Sequence, residues 1–220
     1  MIKQVEQILR RFLWKGPNLK KGGAKVAWED LTLPLDEGGL GLKKLHVWNI
    51  AAMGKHIWNL IQPAPTSSWA SWARANLLKG RSLWEISIPN NSSWTWRKVL
   101  KLRSTFRPLF KIQVGDGRST SLWFDDWMPQ GPIYTTMGDR VIYDSGLPRM
   151  AKVKDIISHD TWHWPIANSP DLLLLKEITL TLPSPDISQS DILLWKATNV
   201  SMYSTNHAWK HIREEKSKVP

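Results

Sequence analysis

Cysteine is absent from the chain, so there is no disulfide and no thiolate to offer a metal, and a cysteine-rich zinc module is excluded within these 220 residues. Any metal would have to be held by histidine and carboxylate. No run of about 18 apolar residues occurs, and the opening MIKQVEQILRRF is too charged for a secretory signal, so nothing points to a membrane span or to export. The expected location is therefore intracellular, with nucleus and cytoplasm equally open. Several nucleotide and catalytic signatures are also missing. There is no Walker loop, no Gly-x-Ser-x-Gly elbow and no His-Glu-x-x-His, and the glycines at 38, 39 and 41 fail the dinucleotide fingerprint because Lys44 holds its third glycine position.

What is present is positive charge, unevenly placed. Residues 1–110 hold 18 Lys and Arg against 6 Asp and Glu, while residues 111–220 hold 12 against 13, so the whole excess lies in the first half. Such asymmetry fits a surface that faces a polyanion, most often nucleic acid. The alternative is a basic, well-solvated surface with no partner. Fifteen tryptophans run through the chain; each brings a large apolar area and one N–H, so most belong in a core rather than on a base-stacking platform.

Apolar periodicity divides the chain into elements. Ile2, Val5, Leu9, Phe12 and Leu13 form one stripe of an amphipathic helix, with Lys3, Glu6, Arg10 and Arg11 turned away from it. The helix stops at Gly16-Pro17, and the loop KGPNLKKGGAK follows. Glycine lets backbone N–H groups approach a phosphate chain and lysine supplies charge, so Arg10, Arg11, Lys15, Lys20, Lys21 and Lys25 are the candidate nucleic-acid-binding residues. Further helices are predicted from about Lys44 to Ile61, ended by Pro63-Ala64-Pro65, from Ser68 through Leu78, and from about Ser93 to Phe106 behind a cap at Asn91 or Ser92. A change of character near residue 111 divides a basic helical module, 1–110, from an α+β region, 111–220. In the second region KIQV and STSLWF read as a β-hairpin turning at Gly115-Asp116-Gly117. Residues 128–150 read as mostly irregular. A short strand at 153–157, a helix at 171–180, a strand at 192–195 and a final helix capped by Thr205 complete the expectation. The fold class is thus mainly α with a smaller α+β part.

The paired carboxylates Asp125 and Asp126 raise the question of a two-metal nuclease, with Asp116 and Asp139 as further ligands. Successive side chains of a strand point to opposite faces, so the pair cannot chelate one ion together. The simpler role is structural: one aspartate accepts from an indole N–H or caps a turn, and the other is solvated. His207 and His211 stand four apart on the last helix, and His159 and His163 share that spacing in a turn-like stretch, but neither pair has a third ligand in view. No catalytic residue, metal ligand or cofactor is assigned.

Four stretches taken together resemble the C-terminal part of reverse transcriptases encoded by plant LINE-type (non-LTR) retrotransposons. They are FLWKG at 12–16, VAWEDLTLPLDEGGLGLKKLHVWNIAAMGKHIWNLI at 26–61, VGDGRSTSLWFDDW at 114–127 and DILLWKATNVSMYSTNHAWKHIREE at 191–215. The resemblance spans essentially the whole chain and rests on the order of the four. It departs at Pro34-Leu35-Asp36, where that family commonly has Pro-Lys before the glycines. The family polymerises DNA on RNA with a Tyr-Ala-Asp-Asp-type motif, and many members carry an endonuclease; neither motif occurs here, nor do the cysteines and histidine of the family's terminal zinc-binding segment. What the resemblance implies is a non-catalytic fragment, lying from the thumb to the lead-in of the zinc-binding segment. Such a piece would bind RNA or DNA backbone without reading sequence, or would be an inert polypeptide dependent on the polymerase and zinc-binding parts of its parent. A metal-dependent nuclease using Asp116, Asp125 or Asp126 is the remaining reading.

Overall fold

A computed structural model describes residues 2–19, 25–65, 67–166, 169–196 and 200–218. In chain order the elements are α1 (Ile2–Lys15), α2 (Trp28–Leu31), α3 (Leu45–Ile61), α4 (Ser68–Ala73), which continues as a π-helical turn over Arg74–Leu78, and α5 (Trp94–Phe106). Then follow β1 (Phe110–Gln113), α6 (Ile133–Met137), α7 (Arg140–Ser145), β2 (Ile157–Ser158), β3 (Thr161–Trp162), α8 (Pro170–Leu180), β4 (Ile192–Trp195) and α9 (Thr205–Ile212). The architecture is mainly helical with a small α+β part. Among the described residues no helix is long and apolar enough to cross a membrane.

The backbone divides into two compact units, one of residues 1–55 with 204–220 and one of residues 56–203. The change in composition at residue 110 is therefore a change in charge and not an edge between these units, since β1 begins at Phe110 inside the larger one.

In the smaller unit the 38–41 turn folds back on α2, with Leu40 N–H donating to Leu31 O and Gly41 N–H to Leu33 O at 2.8 Å. Helix α9 starts at Ser204, whose hydroxyl accepts from His207 N–H; the cap is thus one residue before the expected Thr205. Trp209 on α9 meets Trp48 edge to face with ring centroids 6.5 Å apart. Helix α1 reverses the usual amphipathic arrangement. Its half-buried positions are Ile2, Glu6, Arg10, Arg11 and Trp14, whereas Val5, Ile8, Leu9, Phe12 and Leu13 are exposed. The apolar stripe was legible; the face that packs is mostly the polar one.

The larger unit holds most of the core. Phe110 stacks on Phe106 and meets Trp58 and Trp195 edge to face. Trp123, Leu100, Leu122 and Leu172 of this unit are fully buried as well. Most of the tryptophans pack in this way, although Trp72 and Trp94 stay exposed. Helix α5 begins at Ser93, whose Oγ accepts from Trp96 N–H, so the cap lies one or two residues after the expected Asn91 or Ser92. Residues 128–150 contain α6 and α7 rather than irregular chain, and 153–156 form a 3-10 turn before the two-residue strand β2.

The expected hairpin does not form. Strand β1 pairs antiparallel with β4, with Phe110 opposite Trp195 and Ile112 opposite Leu193, so that the buried side chains of both strands share a face. Among the described residues a hairpin instead joins β2 to β3 through His159 and Asp160, both at positive φ.

Candidate nucleic-acid interface and the aspartate sites

The smaller unit carries 14 Lys and Arg against 7 Asp and Glu, an excess of seven positive charges. Of the candidate phosphate contacts, Arg10 is half-buried, its guanidinium 5.3 Å from the Trp28 ring centroid and 4.0 Å from the Glu29 carboxylate. Part of its capacity is therefore spent on packing α1. Arg11 is half-buried on the same helix, and Lys15 is exposed at its C-terminal end. Lys25 is exposed in the loop before α2. Lys20 and Lys21 lie outside the described residues. The structure thus places Arg10, Arg11 and Lys15 on two successive turns of one helix.

Other cations of this unit are engaged in holding it together. Lys43 Nζ sits 3.5 Å from the Trp209 ring centroid and donates to Asn206 Oδ1, and burial, followed by the charges of Lys210 and Arg213, pushes its pKa down. Arg213 grips the buried Glu37 carboxylate in a two-pronged ion pair, and Lys216 N–H adds a third donor at 3.1 Å. The Arg213 hydrogen bond holds the Glu37 carboxyl below its ordinary value, against burial and with help from Lys216.

The aspartates of the larger unit go to separate tasks. Residues 121–127 form a turn and not a strand. Asp125 Oδ2 accepts from Ser121 N–H at 2.6 Å, and burial raises its pKa against the opposing pull of that bond and of Lys152. That bond from Ser121 N–H within one turn places the Asp125 carboxylate in the expected structural role. Asp126, in contrast, is not solvated; it pairs with Lys196 Nζ at 2.7 Å with its side chain 12% exposed. Asp116 Oδ1 accepts from Arg118 N–H within its own turn, and Asp139 bonds to Arg149 and Tyr134. Among the described residues no three His, Asp or Glu side chains converge as metal ligands. His207 and His211 are exposed on α9, and His159 faces Ser158 Oγ in the β2–β3 turn.

The carboxylate that organises the GDGRST loop is Asp191, which sequence reasoning did not single out. Its Oδ1 accepts from Gly115 N–H at 2.9 Å and Gly117 N–H at 2.8 Å. Its Oδ2 accepts from the N–H of Ser119 and Thr120 and from both their hydroxyls, each at 2.7 Å. Burial alone would raise its pKa; the hydroxyls of Ser119 and Thr120 and the glycine N–H groups together hold it below the ordinary carboxylate value. The glycines are needed for the wrap. A Cβ on Gly115 would lie 2.3 Å from Gln189 O, and Gly117 has φ +66 with Lys154 N 2.5 Å from the place a Cβ would take. The available signal was a run rich in Gly, Ser and Thr donors, more of them than Asp116, which accepts from Arg118, can satisfy.

No family model matches the chain, and no solved structure matches it. Two curated proteins of Arabidopsis thaliana are similar to it. One, an uncharacterized mitochondrial protein, is 26% identical over 129 residues, which cover 58% of this chain and 83% of that protein. The other carries the description "Putative ribonuclease H protein" and is 26% identical over an alignment that takes in 96% of this chain but only 34% of the longer protein. The chain is therefore similar, along nearly its whole length, to about a third of a longer plant protein.

Proposed function

We propose that this chain derives from a plant LINE-type reverse transcriptase, from the segment between thumb and zinc-binding region. In this reading it has no catalysis of its own and contributes nonspecific binding of RNA or DNA backbone. The observation that carries the binding part is the placement of Arg10, Arg11 and Lys15 in the C-terminal half of α1, followed in sequence by three more lysines, in a unit with seven excess positive charges. Cations on successive turns of one helix suit contacts to a phosphate backbone, which position a nucleic acid without reading its sequence. The order of the four family-like stretches, and the extended similarity to a longer plant protein, support the origin.

Filter binding to single- and double-stranded RNA and DNA at two salt concentrations tests this reading. Affinity is expected to fall steeply with salt, and each neutralised phosphate contributes about 0.7 to 0.9 to the logarithmic slope. Charge reversal at Lys20, Lys21 and Lys25 together should flatten that slope and weaken all sequences alike. Affinity that ignores both salt and these reversals would refute it.

A second reading is favoured by one observation. The outward apolar stripe of α1, with Phe12 58% exposed and Ile8 49% exposed, fits a polypeptide that depends on other parts of its parent to cover that face. A protein that is monomeric and silent to a hydrophobic dye would count against it.

A further inference from the structure

Four cations from distant parts of the larger unit line one cavity of about 370 Å³. Arg74 comes from the π-helical turn after α4, Arg81 from the loop that follows, Arg118 from the loop around Asp191, and Lys152 from the segment before the 3-10 turn. Asp125 is the single carboxylate in the lining, which leaves an excess of three positive charges. Arg74 and Lys152 are half-buried, Arg81 and Arg118 stand exposed at the rim, and Asp125 is buried.

Backbone carbonyls fix three of these heads without exhausting them. Arg74 Nη1 donates to Pro63 O at 3.3 Å, Arg81 Nε to Leu78 O at 3.4 Å and Lys152 Nζ to Ser119 O at 3.0 Å. A guanidinium has five N–H donors and an ammonium three, so each keeps donors free to turn into the cavity. Among the described residues none of these three lies in an ion pair with a carboxylate, and Arg118 meets Asp116 at a loose 3.8 Å. Clustered cations, two of them withdrawn from water, are costly without a counter-charge. Burial accordingly lowers the pKa of both Arg74 and Lys152, against the pull of Asp125.

From this arrangement we infer that the cavity is a binding site for the phosphate group of a single nucleotide, free or at the end of a strand. A tetrahedral oxyanion suits four convergent N–H-bearing side chains. The volume is that of a small-ligand site, which holds more than a bare phosphate. The buried side chains of Leu60 and Leu83 add an apolar wall against which the rest of a nucleotide can lie. This inference is independent of the α1 surface, because all the residues it uses belong to the larger unit.

The test is calorimetric titration of the whole chain with adenosine 5′-monophosphate and with adenosine. The monophosphate is expected to bind and the nucleoside to bind at least tenfold more weakly, as the loss of charge-assisted hydrogen bonds requires (on the order of tenfold per contact). Lys152→Met and Arg81→Gln should each weaken the monophosphate by about tenfold, whereas reversal of Lys20, Lys21 and Lys25 should leave it unchanged. Arg81 is exposed, so its variant folds even if the Lys152 variant does not. A 5′-phosphorylated oligonucleotide that gains over its unphosphorylated twin identifies a strand end as the source, and equal binding of the two, with the free monophosphate bound, identifies the free nucleotide. Equal affinity for nucleoside and monophosphate, no binding of either at millimolar concentration, or loss of binding on reversal of the three lysines overturns the inference.

Discussion

Replacement of Asp191 should destabilise the larger unit by a large part of its total stability. Six donors converge on its carboxylate, four from backbone N–H groups of residues 115–120 and two from the hydroxyls of Ser119 and Thr120. Asp191 itself is 4% exposed, and Gly115, Gly117 and Thr120 are buried with it. In Asp191→Ala the donors lose their acceptor where water replaces it poorly. Each buried donor left unsatisfied costs about 1–3 kcal/mol. The hydroxyls can rotate to other acceptors and the loop can relax, so the six do not add. The N–H groups of Gly115, Gly117 and Thr120 set the scale, giving a loss on the order of 4 kcal/mol, against a total of about 5–15 kcal/mol for an ordinary domain. Asp191→Asn keeps one acceptor oxygen but turns an NH₂ towards donors, and should cost somewhat less.

The same carboxylate gives a pH signature with a definite sign. Its folded pKa lies below the ordinary value, so its contribution is fully present above the unfolded pKa of about 3.9 and is lost as pH falls through the lower folded value. Urea unfolding, followed by tryptophan fluorescence and far-ultraviolet circular dichroism at pH 7 and at successive points below pH 4, measures both effects. The wild-type stability should converge on that of Asp191→Asn as the acid limit is approached. An Asp191→Ala midpoint equivalent to less than 1 kcal/mol of lost stability at neutral pH, or a constant gap between wild type and Asp191→Asn at all pH values, would refute the reasoning.

Gly117→Ala should destabilise by about 2 kcal/mol in the same unfolding assay, because the residue has positive φ and the new Cβ meets the Lys154 backbone nitrogen. Glu37→Gln should loosen residues 213–216, seen as faster hydrogen exchange there, and should remove a component of wild-type protection that is present above about pH 4.3 and disappears as pH falls below it. Val5→Ser with Leu9→Ser and Phe12→Ser should cut hydrophobic-dye fluorescence while changing stability by only about 0.5 kcal/mol per site, since all three are exposed; a large loss of stability would show that the stripe packs against the protein.

What the sequence disclosed was what neighbours decide. The bounds of α1, α3 and α8 follow from apolar repeats and breakers a few residues apart, and the strand at 192–195 could be read from its own β-branched and apolar run. Its partner could not, because β1 lies some eighty residues earlier and nothing in FKIQ names ILLW. The false hairpin has the same cause. Asp-Gly chemistry specifies a tight turn, and KIQV and STSLWF flank it plausibly. A turn whose own N–H groups are satisfied across a hairpin ladder looks, residue by residue, like one whose N–H groups are satisfied by a distant carboxylate. Only the hydroxyls distinguish the two. Ser119 and Thr120 add donors that a ladder has no use for, and a donor-rich loop that is to be buried must find an acceptor elsewhere. Helix α1 shows the complementary limit. Periodicity reveals that an apolar face exists but not which face the protein uses, and here the Arg10 contact with Trp28 and Glu29, together with Glu6 and Trp14, takes the inner side. The four cations of the cavity leave no local trace at all, because positions 74, 81, 118 and 152 belong to four different segments, each unremarkable alone. A site assembled in that way becomes visible only when distant charges are found together and found to outnumber the one carboxylate, Asp125, that shares their cavity.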